Sequence, residues 1–440
     1  MHLNVKDFGA VGDGQNLDHQ AIQMAMDQCS EARGGTVVVP AGTYICGTLH
    51  MRSHICLYLE TGATLYRASD PALFPIIAPT PYGNLPGQIQ ALLWADNVEN
   101  LTIAGHGIID GGGSSALSPE DAVNERFRPA LIFYRNCRNI NFLDVRLQYS
   151  SFWTLHLLRC NNVRIHGITI YNNQDRINTD GIDPDGCRNV IISDCNIVAG
   201  DDCIVIKSTE GDVCEDITIT NCILQSRHAA LKIGTEAISD IRNIVCSNCT
   251  VPLADVVVAL YMKDGSTYEN IFFSNIVARA DNDFPIVIDI TPRYYKDPRI
   301  GQIRTISFDN ISISGKGRCY IEGTPEYPVE NLSFRNITWT ITDTCDFQSA
   351  EKPPGARRIE LDPARTNEAI HPYQFLLMHA QDISFHNVRC YDRSKFPIAD
   401  RGLLYLRNVE CATFDAVRFI PNPEQTTPIV AEHCTSVVIR

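Results

Sequence analysis

The sequence has no excess of basic charge: its 440 residues carry 37 Lys and Arg against 51 Asp and Glu, a formal charge of −14. That balance gives no reason to expect nucleic acid or an acidic membrane surface, both of which select basic proteins. Any anionic ligand must therefore meet a local group of Lys and Arg. No apolar run reaches the roughly eighteen residues of a membrane helix, so no membrane partner is expected. The N-terminal "MHLNVKDFGAVGDG" has no basic-then-apolar leader. A cytoplasmic protein is expected, the alternative being a periplasmic or secreted one whose signal peptide has been removed. The Gly-rich turn in that stretch lacks the Lys-Ser/Thr of a phosphate loop, and no cofactor is expected. The 17 Cys follow no disulfide framework, and they read as reduced core residues in a reducing compartment. Cys246 and Cys249 have no second Cys pair to complete a zinc site, so no metal is expected. With 44% apolar and 20% charged residues, the composition also excludes long disorder.

What the sequence does contain is a repeat. A turn residue followed by alternating apolar positions recurs as "NVRIHGITI" from Asn162, "NVIISDCNI" from Asn189, "DITITNCIL" from Asp216, "NIVCSNCTV" from Asn243 and "NIFFSNIVA" from Asn270. Consecutive starts differ by 27 residues (189−162, 216−189, 243−216, 270−243). The unit appears earlier from Asn100 and Asn139 and later from Thr305, Asn331 and Asp382, with spacings of 35 and 51 that imply inserted loops. Alternation of period two inside this longer period predicts several short strands per turn of a superhelix, each pairing with its equivalent one coil later. The fold class is thus all-β, a right-handed parallel β-helix (a solenoid) with an N-terminal capping helix. The whole of 1–440 is read as one domain: cap and first coil over 1–50, regular coils over 100–340, and coils with inserted loops over 341–440.

The sixth position of the unit, Asn221, Asn248, Asn275, Asn310, Asn336 and Asn387, predicts a stack of turn amides along the axis. The seventh, Cys195, Cys222 and Cys249 followed by Ile276 and Ile311, predicts an interior apolar stack. "LDHQAIQMAMDQCSEARGG" predicts the cap, with Asp18 as N-cap, Ala21, Ile22, Ala25 and Met26 on one face, and Gly34-Gly35 as the stop.

Against this regular background, "RINTDGIDPDGCRNVIISDCNIVAGDDCIVIKS" gathers aspartates beside a lysine. Asp201 and His228 each lie 12 residues into successive units (201−189, 228−216), so they are expected to be stacked neighbours. Matching "NTDGID" to "AGDDCI" sets Asp180 beside Asp202. Alternation sends Lys207, His228 and Lys232 outward with Asp201, but it sends Asp202 to the opposite face unless the strand bends or starts there. Aspartates also serve as plain turn residues. Converging carboxylates, a histidine and lysines instead point to a site in which one carboxyl stays protonated as an acid and another stays ionised as a base. Glycosidic cleavage needs that division.

These residues resemble family 28 of the glycoside hydrolases, the polygalacturonases and their relatives, through "VKDFGAVGDG", "GGTVVVPAGTY", "RPALIFYRNCRN", "NTDGIDPDGC" and "GDDCIVIKS". The resemblance runs to about residue 280, and beyond 340 only the repeat remains. It implies an inverting hydrolase of α-glycosidic bonds in galacturonic-acid-containing pectic polysaccharide or oligosaccharide. Asp202 would be the general acid, and Asp180 and Asp201 would activate water. His228 would modulate the acid's proton, although Arg227 and Ala229 replace both family glycines around it. The family's carboxylate-binding Arg-Ile-Lys corresponds to Tyr261, Met262 and Lys263. A tyrosine lacks the two parallel bonds of a guanidinium but could stack on a sugar face. Lys207, Lys232 and Lys263 are read as an outward basic row for an acidic sugar, or else as a solvated face. Asn178, in the Asn-Thr-Asp motif, and Asp183 are further substrate-binding candidates; Asp183 could also merely sit in a turn. "TPRYYKDPRIGQ", with Arg293, Tyr294 and Tyr295, and "TPYGNLPGQIQ" are candidate cleft walls, and exo action is expected from such walls. A rhamnogalacturonan or substituted-galacturonan hydrolase of the same family is the alternative. A non-catalytic β-helix binding module and a calcium-dependent lyase are the rivals outside it. The sequence leaves the oligomeric state open.

Overall fold

The computed structural model describes residues 1–77, 89–118, 121, 125, 127–281, 284–292, 299–342, 373–393, 402–420 and 429–440. They group into two compact units, one formed by 1–205 with 215–227 and the other by 206–214 with 228–440. Both are built of parallel β-helix coils, with the right hand that strand-crossover-strand connections take.

In the N-terminal unit a coil holds three short strands, as in Leu155–Leu158, Asn161–His166 and Thr169–Tyr171. Each pairs in parallel with its equivalent in the next coil. One inward column runs Ile103, Phe142, Ile165, Ile192, Ile219 and a second runs Ile109, Leu147, Ile170, Ile197, Leu224, all buried. In the C-terminal unit two of the three strands merge into long ones, Ile241–Ala254, Thr267–Ala280 and Gln302–Gly315. Its core is a column of stacked rings, Phe273, Phe308, Phe334, Phe385 and Phe414, with successive centroids 5.1, 4.8, 4.6 and 5.1 Å apart. Cys195, Cys222, Cys249, Ile276 and Ile311 are all buried, as the apolar pattern predicted.

The unit-starting residues from Asn100 to Asp382 have φ between 51° and 60°, and the sixth-position asparagines lie in the same left-handed region. Asparagine and aspartate tolerate that conformation better than other residues with a side chain, which is why they hold most of these positions, with Thr305, Cys411 and Ala416 as exceptions. The predicted amide stack forms from Asn248 to Asn275 (3.0 Å) to Asn310 (2.7 Å) and from Asn336 to Asn387 (2.8 Å). Asn336 donates to Asp309 and Asn221 to Asp194, alongside the amide links from Asn248 to Asn310 and from Asn336 to Asn387. A second ladder, which the repeat did not single out, links Asn100, Asn139 and Asn162 at 2.9 and 2.7 Å.

The capping helix α1 spans His19–Glu31 and buries Ala21, Ile22, Ala25, Met26 and Cys29 against the first strands. Asp18 stands at its N-cap position but makes no side-chain cap bond. Its carboxylate accepts instead from the backbone N–H groups of Val11 (2.6 Å) and Gly12 (3.1 Å). Two amides of the Gly-rich loop out-compete the helix for the same oxygens.

Truncating the middle of the ring column, Phe334→Ala, is expected to destabilise the chain by about 3–5 kcal/mol, because Phe308 and Phe385 lose their shared neighbour and cannot collapse into the gap. Denaturant unfolding of the variant measures this, and a loss below about 1 kcal/mol would show that the column is not the core of its unit.

Candidate active site

In the N-terminal unit the chain leaves its strands twice at the same level. It does so once between Tyr171 and Ile182, the loop that carries Asn178 and Asp180, and once between Ala199 and Ile204, the turn that carries Asp201 and Asp202. The amide of Gly181 donates to the carbonyl of Asp202 (2.9 Å) and that of Ile182 to Cys203 (3.0 Å), which sets Asp180 beside Asp202 in the ladder. The expected pairing therefore holds across a separation of 22 residues. Because the strand begins only at Ile204, Asp201 and Asp202 lie in the turn before it, where alternation does not send neighbours to opposite faces.

Two glycines make the approach possible. A Cβ on Gly181 would lie 2.4 Å from the Cys203 carbonyl oxygen, and one on Gly200 would lie 2.3 Å from that of Arg176. Asn172 and Thr179 hold the loop from within. The Asn172 amide donates to Thr154 Oγ1 (2.7 Å) and to the Thr179 carbonyl (3.0 Å), and Thr179 Oγ1 accepts from the amide of Gly200 (3.2 Å).

The carboxylates are placed individually. Asp201 is partly buried, its Oδ2 accepting from the backbone N–H of Asn178 (3.1 Å) and its carbonyl from the Ser226 hydroxyl. Asp180 and Asp202 are buried. Asp183 is fully buried inside the strand Ile182–Asp185, so it does not sit in a turn. Its ladder partner is His156, whose Nε2 lies 3.0 Å from the buried carboxylate of Asp185. Phe133 packs on the imidazole at 4.9 Å and Trp153 meets it edge-on at 4.8 Å. Asn178 has a φ of 52°, and its side-chain oxygen faces the Arg128 guanidinium at 3.4 Å.

Arg128 was not among the sequence candidates, although it opens the "RPALIFYRNCRN" motif. It is 5% exposed and donates to the carbonyls of Ser151 (3.1 Å) and Ile177 (2.8 Å). Burial and the nearby Arg176 lower its pKa to about 10, while Glu125, Asp180 and Asp201 act to raise it. It stays charged at neutral pH, a buried cation inside the carboxylate group. His156 and Asp185 were missed too, since neither stands at a repeat anchor position and only the fold brings them together.

In the C-terminal unit, Lys207 lies in the strand Ile204–Ser208 and Lys263 just follows the strand Val256–Met262. Neither forms part of a solvated basic row. Lys207 is 2% exposed and pairs with Glu236 at 2.8 Å; Lys263 is 2% exposed and pairs with Asp289. A lysine whose stem lies in a sheet face is buried with it, and a neighbouring strand supplies the counter-charge. Lys232 is partly exposed and opposes Ala259. His228 is exposed at the start of the strand Ala229–Ala237, so it is not a core histidine. Tyr261 is 5% exposed within an apolar cluster that includes Val287, Tyr320, Met378 and Tyr405. The proposed walls at 80–88 and 293–298, with Arg293, Tyr294 and Tyr295, lie outside the described residues.

A family model described as glycosyl hydrolases family 28 matches residues 29–352. The chain belongs to family 28 of the glycosyl hydrolases. A probable polygalacturonase of Vitis vinifera is 35% identical over 191 residues, 41% of this chain and 39% of that protein. An exo-poly-alpha-D-galacturonosidase of Dickeya chrysanthemi is 34% identical over 119 residues, 25% of this chain and 19% of that protein. These matches span about two fifths or less of those curated relatives. The structure of a family 28 exopolygalacturonase from Yersinia enterocolitica matches with a TM-score of 0.73 at 20% identity, covering 93% of this chain and 78% of that one. That likeness is one of fold, and it agrees with the β-helix coils.

If the two glycines exist to let the loops touch, Gly200→Ala should destabilise the chain by about 1–3 kcal/mol through overpacking against backbone that cannot move aside. Thermal and denaturant melts read this directly, and a variant as stable as the parent would mean that the loops are not held as tightly as the geometry implies.

Proposed function

We propose that this family 28 chain is an inverting hydrolase of α-glycosidic bonds in galacturonic-acid-containing pectic polysaccharide or oligosaccharide, acting from a chain end. The register that sets Asp180 beside Asp202, with Asp201 in the same turn, carries the reading. Protonated Asp202 gives its proton to the glycosidic oxygen as the bond from the anomeric carbon to that oxygen breaks. A water held by Asp180 and Asp201 attacks the opposite face of the anomeric carbon and yields its proton to one of these carboxylates. Such an arrangement needs acid and base about 6.5–9.5 Å apart so that the water fits between them. The Asn178 N–H donated to Asp201 Oδ2 and the charge of Arg128 near Asp180 and Asp201 suit a carboxylate acting as base. His228 would tune the proton on the acid, and Asp183 with Asn178 would bind sugar hydroxyls.

Exo action is supported by the name of the Dickeya relative. We place the enzyme in the cytoplasm, working on imported fragments. Support comes from the cysteines, which form no disulfide among the described residues. A second reading, a rhamnogalacturonan or substituted-galacturonan hydrolase, is favoured by Tyr261 at the family's arginine position and by the Asp289 partner of Lys263.

Proton NMR of the chain acting on galacturonan and rhamnogalacturonan oligosaccharides tests this. The first product signal should be a β-configured reducing end, and Asp202→Asn should lower the rate by roughly 10²–10⁴-fold. An α-configured first product would refute inversion, unsaturated products would refute hydrolysis, and an unimpaired Asp202→Asn variant would refute the assignment of the acid.

A further inference from the structure

The ladder of the C-terminal unit sets Tyr261, in Val256–Met262, directly opposite Asp289, in Ile286–Ile290, and Asp289 opposite Glu322. The Lys263 ammonium lies 5.5 Å from the centroid of the Tyr261 ring and pairs with Asp289 Oδ2. The other Asp289 oxygen accepts from the Thr291 hydroxyl, and Glu322 accepts from the Tyr320 hydroxyl. Lys263 and Asp289 are 2% and 1% exposed at their side chains. The only lysine beside Tyr261 among the described residues thus already holds a carboxylate, with a second buried carboxylate next in the row.

We propose that Asp289 is a specificity-determining residue: by holding Lys263 it makes the chain select, at the position Tyr261 and Lys263 face, a sugar unit without a free carboxylate. A uronate arriving there finds Lys263 already paired with the buried Asp289 carboxylate, and to bind Lys263 it must strip Asp289 of that partner inside the protein. Leaving a buried charge uncompensated costs more than the new pair returns. A tyrosine at position 261 lacks the paired N–H donors with which a guanidinium grips a carboxylate. The same arrangement recurs at Lys207, whose ammonium is held by Glu236 at 2.8 Å. A neutral sugar and an esterified uronate share the property required. The inference rests on the pectic reading for its substrate and not for its binding geometry.

The test compares oligogalacturonate, its methyl ester and its carboxyl-reduced counterpart, at equal length, on the full chain. The parent should cut the ester or the reduced form with kcat/KM at least tenfold above that for the free acid, and the stronger of these two arms identifies the unit as an esterified uronate or a neutral sugar. Asp289→Asn should shift the acid-to-ester ratio at least tenfold towards the acid. Thr291→Val, which loosens Asp289 without stranding a charge, should shift it in the same direction by less, and this keeps the test decisive if Asp289→Asn does not fold. The double variant Lys263→Met with Asp289→Asn should lose the gained preference. A thermal-shift titration in the Asp202→Asn background reads binding without turnover. A switch of preference there, with no oligosaccharide cut by the parent, would support this inference while removing the proposed function. A parent that prefers the free acid, or ratios unchanged in Asp289→Asn and Thr291→Val, would overturn it.

Discussion

The structure rests on the parallel backbone ladder between one coil and the next. A parallel strand has no hairpin to close it, so each coil must travel a full circuit before its amides find partners. That circuit can repeat only if each strand returns to the register of its equivalent, whatever loop the coil inserts on the way. Asparagines and aspartates at φ near +55° are what make the corners. Once they are set, inward columns such as Ile103, Phe142, Ile165, Ile192 and Ile219 follow automatically, because a register slip of one residue would turn every one of them outward.

The candidate catalytic group exists where that regularity is interrupted. The loop to Asp180 and the turn through Asp202 interrupt the regular strands while their backbones stay paired, and they can approach this closely only because Gly181 and Gly200 carry no Cβ. Between them Asn172 and Thr179 satisfy the backbone groups that the interruption releases. A regular scaffold thus supplies rigidity while two short irregular segments supply the carboxylates, the usual division between frame and function.

Charge is handled in the same local manner. In a chain with a net charge of −14, the buried cations Arg128, Arg176, Lys207 and Lys263 each have acceptors or carboxylates within reach. Arg128 keeps its charge beside Asp180 and Asp201, where a cation helps hold carboxylates ionised. Lys207 pairs with Glu236 and Lys263 with Asp289. Such pairs contribute little net stability, since desolvation offsets their attraction.

The period of 27, the turn asparagines and the apolar alternation determined the coil, its inward columns and the capping helix, because these depend on residue type at fixed local spacing. Matching "NTDGID" to "AGDDCI" placed Asp180 beside Asp202 across 22 residues, which the period of 27 alone would not have done. The pattern did not determine what Asp18 would cap, since two loop amides and a helix end compete for one carboxylate and only their positions decide between them. Nor did it reveal that Lys207 and Lys263 would be buried, that Tyr261 would be walled in by Tyr320 and Tyr405, or that His156 would meet Asp185. Alternation states which side of a strand a residue faces. Which charge stands opposite it depends on strands some 26 to 29 residues away, and only the folded chain brings them into contact.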